Sequence, residues 1–317
     1  MLKKILLKLS RSIIKLLLPP LSILFIKMKI NKRIINYLNE KSFTANNYYD
    51  FSSLIEKNLN NKKIIALDIG AQGGFNSDDF FPGRYNKFFE PILVEPIKKE
   101  ADKLTANNKY VIKKGIWSEK IKKKINLLEN RLGSSSMYTP DPSLFGIHQI
   151  KKKNYKNYDV TKVIEIECDT LSSSLLNLEL NKLDYLKIDT QGSELEILKG
   201  IGPYRPLLLK IEGHIHSMYK EVPGWNELLD CLYKLNYIIV DWKGIGSHAT
   251  RTPAEIDMIF IPNFNNSAGY DLIKSNENKF MSLMLIFGQI NLLKIISNKL
   301  NFKYSNEISI YEDRFFN

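Results

Sequence analysis

Leu183-Asp184-Tyr185-Leu186-Lys187-Ile188-Asp189-Thr190-Gln191-Gly192-Ser193-Glu194-Leu195-Glu196-Ile197-Leu198-Lys199-Gly200 is the stretch from which the rest of the chain can be read. Tyr185 to Ile188 read as a short buried strand that delivers Asp189 to a turn. Gly192 lets the chain reverse tightly. A helix follows, with Leu195 and Leu198 on one face and Glu194 and Glu196 in its first turn, where the helix dipole favours anions. Gly200 is its candidate C-cap. An acidic side chain at the carboxyl end of a strand, beside a Gly turn and a helix start, stands where open α/β sheets put their chemistry. The other reading is an ordinary strand–helix connection in which Asp189 caps the helix.

Upstream, Ile64-Ile65-Ala66-Leu67-Asp68-Ile69-Gly70-Ala71-Gln72-Gly73-Gly74-Phe75 runs from a buried strand straight into a Gly-rich turn. Gly70 and Gly74 would let the backbone approach a ligand closely. The nicotinamide-type Gly-x-Gly-x-x-Gly pattern fails because Gln72 occupies its second Gly position, and no phosphate-loop lysine is present. The next strand, Ile92-Leu93-Val94, ends at Glu95-Pro96. Glu95 lies 25 residues beyond Gly70, close to the spacing at which a carboxylate meets ribose hydroxyls in such folds. A carboxylate can accept from both hydroxyls at once, although a solvated strand-end Glu would look the same. A third strand near Tyr110–Ile112 leads to Gly115-Ile116-Trp117-Ser118, where Trp117 either flanks an adenine or joins the core.

Between Lys120 and Glu167, alternating Lys-rich stretches (Lys123–Leu128, Val163–Cys168) flank a polar loop with Gly133-Ser134-Ser135-Ser136 and Thr139-Pro140-Asp141-Pro142. The alternation predicts a β-hairpin or an added β segment at the sheet's edge, and Lys151-Lys152-Lys153 a solvated turn. Asp169 or Thr170 is positioned to cap a helix. Downstream of Gly200, Pro206–Glu212 reads as another buried strand, which sets Glu212 and His214 at a strand's carboxyl end. A helix (Trp225–Leu235) and strands at Tyr237–Asp241 and Ile256–Ile261 complete the alternation. The apolar tail from Phe280 to Leu300 predicts a helix that caps the domain or makes an interface.

With 317 residues and ordinary hydrophobic and charged fractions, the chain can bury a large core. Cys168 and Cys231 are its two cysteines, which supply neither a disulfide framework nor a Cys-based zinc site and suit a reducing compartment. The net charge of +12 is concentrated: residues 1–41 hold ten basic side chains and one acidic, Glu40. The remainder carries only +3, too little for a basic groove, so no nucleic-acid partner is expected. Met1 to Leu18 alternates Leu or Ile with Lys at helical spacing, Pro19-Pro20 break it, and neither apolar run is long enough to span a bilayer. Charges through the run also argue against a signal peptide. A basic amphipathic helix on an anionic membrane, through residues 1–26, is one reading, and packing on the domain or a partner is the other. The expected organisation is a basic extension over 1–50, a catalytic domain over 51–262 and a helical extension over 263–317.

In their order, these motifs resemble the FkbM-type family of S-adenosylmethionine (SAM)-dependent methyltransferases. The matching points are Leu67–Ala71, Val94-Glu95-Pro96, Gly133-Ser134-Ser135, Asp169-Thr170-Leu171, Lys187-Ile188-Asp189 with Gly192 and Glu194, and Ile211-Glu212 with His214; they span roughly 64–242. The family commonly has Glu where this chain has Gln191, and Gln72-Gly73-Gly74 varies its usual turn. The resemblance implies a Rossmann-like fold: a mostly parallel seven-stranded sheet, its last strand antiparallel, helices on both faces, and the extra β segment before the fourth strand. It implies SAM as cofactor, held by Asp68, Gly70, Ala71, Gln72, Gly74 and Glu95 with Trp117 beside the adenine, and O-methylation of a sugar, glycan or secondary metabolite.

A sugar hydroxyl is a poor nucleophile while protonated, so a base or a metal that lowers its pKa should help. Asp189 and His214 are the candidates, each following a central strand, with His the better base near neutral pH. Asp189 with Glu212 would alternatively hold a divalent metal. His216 is expected to pack or face solvent. Competing classes are an NAD-type oxidoreductase, which the glycine pattern opposes, and a non-catalytic Rossmann-like module tethered to a membrane or glycan-assembly complex.

Overall fold

The structure is a computed structural model that describes residues 50–78, 80–148, 150–245 and 254–302, without the side chains of 243–245. The basic segment over 1–49, with the membrane contact expected of 1–26, lies outside the described residues. In chain order the elements are α1 (Ser52–Leu59), β1 (Ile64–Ile69), β2 (Phe89–Val94), α2 (Lys98–Thr105), β3 (Tyr110–Ile112), β4 (Gly115–Ile116), β5 (Ile121–Leu127) and β6 (Lys162–Asp169). Then come α3 (Leu171–Leu176), β7 (Tyr185–Ile188), α4 (Glu194–Lys199), β8 (Leu208–His214), α5 (Trp225–Lys234), β9 (Tyr237–Ile245) and β10 (Glu255–Pro262). Three helices follow: α6 (Ser267–Ser275), α7 (Glu277–Ile286) and α8 (Ile290–Leu300).

Two compact units divide these elements. In the first, α7 packs on α1 and α8, the Phe51 amide donates to the Tyr85 hydroxyl (3.0 Å), and Phe81 meets Phe287 edge-on at 5.3 Å between ring centroids. Every residue of α7 from Phe280 to Ile286 is buried, the condition of a helix apolar all round. The expected single tail helix is two helices, because Gly288 takes a left-handed φ of 74° and ends α7.

The second unit holds a seven-stranded sheet in the order β3-β2-β1-β7-β8-β10-β9. The pairs β3–β2, β2–β1, β1–β7 and β7–β8 are parallel, and β10 runs antiparallel to both β8 and β9. This is the Rossmann-like architecture expected from the sequence, with its antiparallel strand at Glu255–Pro262. All four residues of β7 and all seven of β8 are buried, so the middle of the sheet is covered on both faces. Leu67, Ile92, Leu186, Ile188, Leu209 and Ile211 lie at the heart of that core.

The segment inserted between β3 and β7 forms its own small sheet, β4-β6-β5, in which β5 and β6 are antiparallel. Beyond it, the loop read as merely polar carries a second apolar cluster of Leu128, Phe145 and Tyr158 with Met218 and Tyr219. Thr170 caps α3 by accepting from the Ser173 amide at 3.0 Å. Gly200 ends α4 with φ −89°, so it is not there for a left-handed cap; a Cβ would stand 2.5 Å from the Trp117 carbonyl oxygen.

Candidate active site

The Gly-rich turn after β1 is set by backbone constraints. Gly70, Gly73 and Gly74 have φ of 85°, 89° and 100°, all left-handed. The amides of Gly70 and Ala71 donate to the Val94 carbonyl (3.3 and 3.2 Å), which ties the turn to the end of β2. A Cβ on Gly70 would lie 1.9 Å from the Asp189 carbonyl oxygen, whereas one on Gly74 would meet nothing within 4 Å. The two glycines therefore do different things: Gly70 admits the neighbouring strand end, and Gly74 faces open space. The Gln72 carbonyl accepts from the Ser77 hydroxyl (3.0 Å), and its side-chain oxygen lies against Gly133.

Glu95 is buried just past β2, where one carboxylate oxygen accepts from the Ile97 amide at 2.8 Å. Burial pushes its carboxyl up to about 7 against the lowering effect of that amide. Trp117 lies in the apolar core of the small sheet with Ile125, Leu127, Ile166 and Cys168, and the Lys123 ammonium sits 4.1 Å from its ring centroid.

A charged cluster crosses the carboxyl end of the central strands. Asp68, Lys187 and Lys210 are in register on β1, β7 and β8. The Lys187 ammonium lies 3.1 Å from Asp68 and 3.9 Å from Asp189, and Lys210 lies 3.6 Å from Asp189 and pairs with Asp257 on β10. Asp68 is thus enclosed beneath the Gly turn and paired with Lys187. Antiparallel β10 sets Asp257 opposite Glu212 and Glu255 opposite His214. Asp189 keeps 20 % of its side chain exposed, against 2 % for His214.

Five carboxyl groups share this space with two ammonium groups, so their ionisation divides. Burial alone would push Asp189 up, but Lys210 and Lys187 outweigh it and hold its carboxyl below the usual range. Glu212 goes the other way: burial, then the charges of Asp189 and Glu255, push it well above that range. Burial likewise raises Glu255 and Asp257. Glu212 is therefore pushed toward its neutral form beside Asp189, whose ammonium neighbours favour the ionised form. The other contact of Glu212 is the Gln191 side-chain amide, which donates at 2.7 Å.

Gln191 has a left-handed φ of 60° and is held from three sides. The Ser136 hydroxyl donates to its carbonyl (2.6 Å), and its side-chain oxygen lies 2.9 Å from the Tyr219 hydroxyl, itself 2.7 Å from the Ser134 carbonyl. Glu194, the expected first-turn acid of α4, accepts from the Thr190 and Gly192 amides (2.9 and 3.2 Å) and fixes the turn after β7. The His214 ring is buried edge-on to Tyr219, 6.3 Å between centroids, and among the described residues neither of its nitrogens has a hydrogen-bond partner. His216 is exposed, as expected.

Residues 68–239 match the family described as the methyltransferase FkbM domain, which is more than half of the chain. The chain belongs to the FkbM methyltransferase family. It is accordingly a SAM-dependent methyltransferase with a Rossmann-like fold. Among curated proteins none matches it. Similar solved structures include the 16S rRNA methylase ArmA, at 15 % identity over 71 % of this chain and 85 % of that one, with a TM-score of 0.30. Another is the small RNA methyltransferase HEN1, at 12 % identity over 66 % of this chain and TM-score 0.30, where the match spans about a quarter (24 %) of HEN1.

The turn and the strand end of this FkbM methyltransferase suit SAM: a left-handed Gly74 open to a ligand, and a buried carboxylate with an oxygen to spare. A divalent metal does not fit. The Asp189 carboxylate already faces two ammonium groups, burial and the neighbouring carboxylates push Glu212 toward its neutral form, and among the described residues no group of three or more His, Cys, Asp or Glu side chains has metal-binding geometry. Lys210, Tyr219, Glu255 and Asp257 were not anticipated, and Lys187 and Gln191 entered the sequence reading only as points of comparison with the family, without these contacts. A signal for the lysines existed, since each interrupts an apolar strand. A cation buried there demands a buried carboxylate on a neighbouring strand.

Proposed function

We propose that this FkbM methyltransferase O-methylates a hydroxyl of a sugar, glycan or glycan precursor by in-line methyl transfer. In this reading the Gly70–Gly74 turn receives the methionine part of SAM, and Glu95 accepts from the ribose hydroxyls. Asp68 holds that turn through Lys187. Asp189, the accessible carboxylate of the cluster, orients the acceptor hydroxyl, and Glu212 with Gln191 holds Asp189 in place. His214 takes the hydroxyl proton as the new C–O bond forms and the methyl–sulfur bond breaks. The observation that carries this reading is the buried His214 ring, whose nitrogens have no competing hydrogen bond among the described residues. Its enclosure keeps water away from the methyl group, and acceptor entry then requires the Tyr219 side to yield. SAM supplies the activated methyl, so the protein's task is positioning and removal of one proton.

Transfer of labelled methyl from SAM into cell-envelope extract, with mass analysis of the labelled product, tests the acceptor class. Label appearing in a carbohydrate ether supports it; label only in RNA or protein sinks it. Unchanged turnover in both His214→Ala and Asp189→Ala would remove the catalytic assignment. The basic segment 1–26 fits a peripheral contact with the anionic inner face of the membrane. Among the described residues no helix is long and apolar enough to cross one.

A further inference from the structure

A base buried as deeply as His214 needs somewhere to send the proton it collects. One oxygen of Glu255, Oε1, lies 3.8 Å from Nδ1 of His214 and 3.6 Å from Nδ1 of His148. The other nitrogen of His148, Nε2, lies 2.8 Å from the backbone carbonyl of His216. That carbonyl can only accept, so Nε2 carries a hydrogen, and in the neutral ring the lone pair of Nδ1 faces Glu255. His214, Glu255 and His148 thus form a row that begins at the enclosed ring and ends beside an exposed residue.

We infer that His148 is a positioning residue for methyl transfer, passing the acceptor's proton from His214 through Glu255 toward solvent at His216. This rests on the proposed role of His214 as base. The acceptor O–H proton goes to Nε2 of His214 as the methyl leaves sulfur. The Nδ1 proton of the resulting imidazolium goes to Glu255, and the carboxyl proton of Glu255 goes to Nδ1 of His148. His148 then releases its Nε2 proton beside the His216 carbonyl, and once the product has left, both neutral rings exchange their N–H proton through water, which restores Nδ1–H on His214 and Nε2–H on His148. One proton moves from acceptor to solvent and no electron changes hands. The present separations exceed hydrogen-bond length, as is common before a catalytic site is filled.

The electrostatics suit a shared proton. Burial raises Glu255, so its carboxyl is ready to carry one, and burial lowers His148, so its ring is ready to give one up. The other charged and titratable groups facing the row are Asp189, Asp257 and Glu212 from the sheet, Arg131, Tyr158 and Tyr219 from the covering loops, and His216 beyond it. None of them bridges the two imidazoles.

Two measurements on the full chain test the relay. In the labelled-methyl assay, His148→Ala should bind SAM like wild type by calorimetry, lose about 10-fold or more in turnover, and recover as imidazole is added to the buffer. Wild-type turnover, or a loss that imidazole does not restore, overturns the inference. Independently, the two rings should titrate as a coupled pair by NMR in the absence of acceptor, with Glu255→Gln uncoupling them and His148→Ala altering the His214 curve. A His214 curve unchanged by both variants overturns the relay even if methyl transfer is found. Coupled rings in a wild type that methylates no hydroxyl would strike the O-methylation reading and not the relay geometry. If His148→Ala fails to fold, Glu255→Gln takes its place: it should bind SAM like wild type, lose about 10-fold or more in turnover and uncouple the two rings, and wild-type turnover or coupled rings in it overturn the inference.

Discussion

Burial pushes the Glu95 carboxyl up to about 7, so it gains or loses its proton near neutral pH. Ribose hydroxyls donate best to the ionised form, so binding in the proposed mode expels that proton. SAM affinity should therefore weaken as pH falls through about 7, approaching ~10-fold per unit well below it. Calorimetry at pH 6 and pH 8 checks this, and Glu95→Gln should abolish the difference. The two glycines of the turn should also separate. Gly70→Ala meets the Asp189 carbonyl at a left-handed φ and should lower thermal stability by well over the ~1–2 kcal/mol of the backbone penalty. Gly74→Ala has only that penalty, and its larger effect should fall on SAM affinity, measured by the same calorimetry.

Among the elements, β7, β8 and β10 carry the largest electrostatic load. Lys210→Met would leave Asp257 and Asp189 without their shared cation and should cost about 3–5 kcal/mol in urea unfolding. A loss below 1 kcal/mol would mean that the pairing contributes little. The sign of the pH dependence follows from the directions of the shifts. Glu212, Glu255 and Asp257 hold protons more tightly when folded, so they lower stability as pH rises from the ordinary carboxylate range through their raised values. Asp189 is depressed, and the stability it contributes is present at neutral pH and is lost only when pH falls below the ordinary range. Urea unfolding at pH 5 and pH 8 should show the more acidic sample gaining from the first group. Glu212→Gln should narrow that gap.

Across the whole chain, ligand and surface effects dominate. SAM binds the folded state, so at 100 times its Kd it should stabilise the fold by about 2.7 kcal/mol, seen as a rise in Tm. Removal of residues 2–20 should abolish co-sedimentation with anionic vesicles while leaving SAM affinity intact. Unchanged partition would remove the membrane contact. The succession of the central strands along the chain was readable because each is a short apolar run closed by Gly, Pro or an acid, and the Gly70 turn is a local backbone requirement; their arrangement in the sheet came from the family resemblance. The tail was less readable: its apolar pattern runs continuously past Gly288, and a periodicity window does not register a single left-handed residue.

Local chemistry thus settled the α/β alternation and set Asp68, Glu95, Asp189, Glu212 and His214 at or near the carboxyl ends of their strands, since a strand's end and a glycine turn are properties of consecutive residues. Tertiary pairing settled what those residues meet. Lys187 and Lys210 became counter-ions because parallel β1, β7 and β8 stand in register, and Glu255 and Asp257 joined them because β10 runs backward beside β8. Gln191, Tyr219 and His148 arrived on loops far apart in sequence. No spacing along the chain encodes that meeting, because the sheet order and the folded loops bring those side chains together.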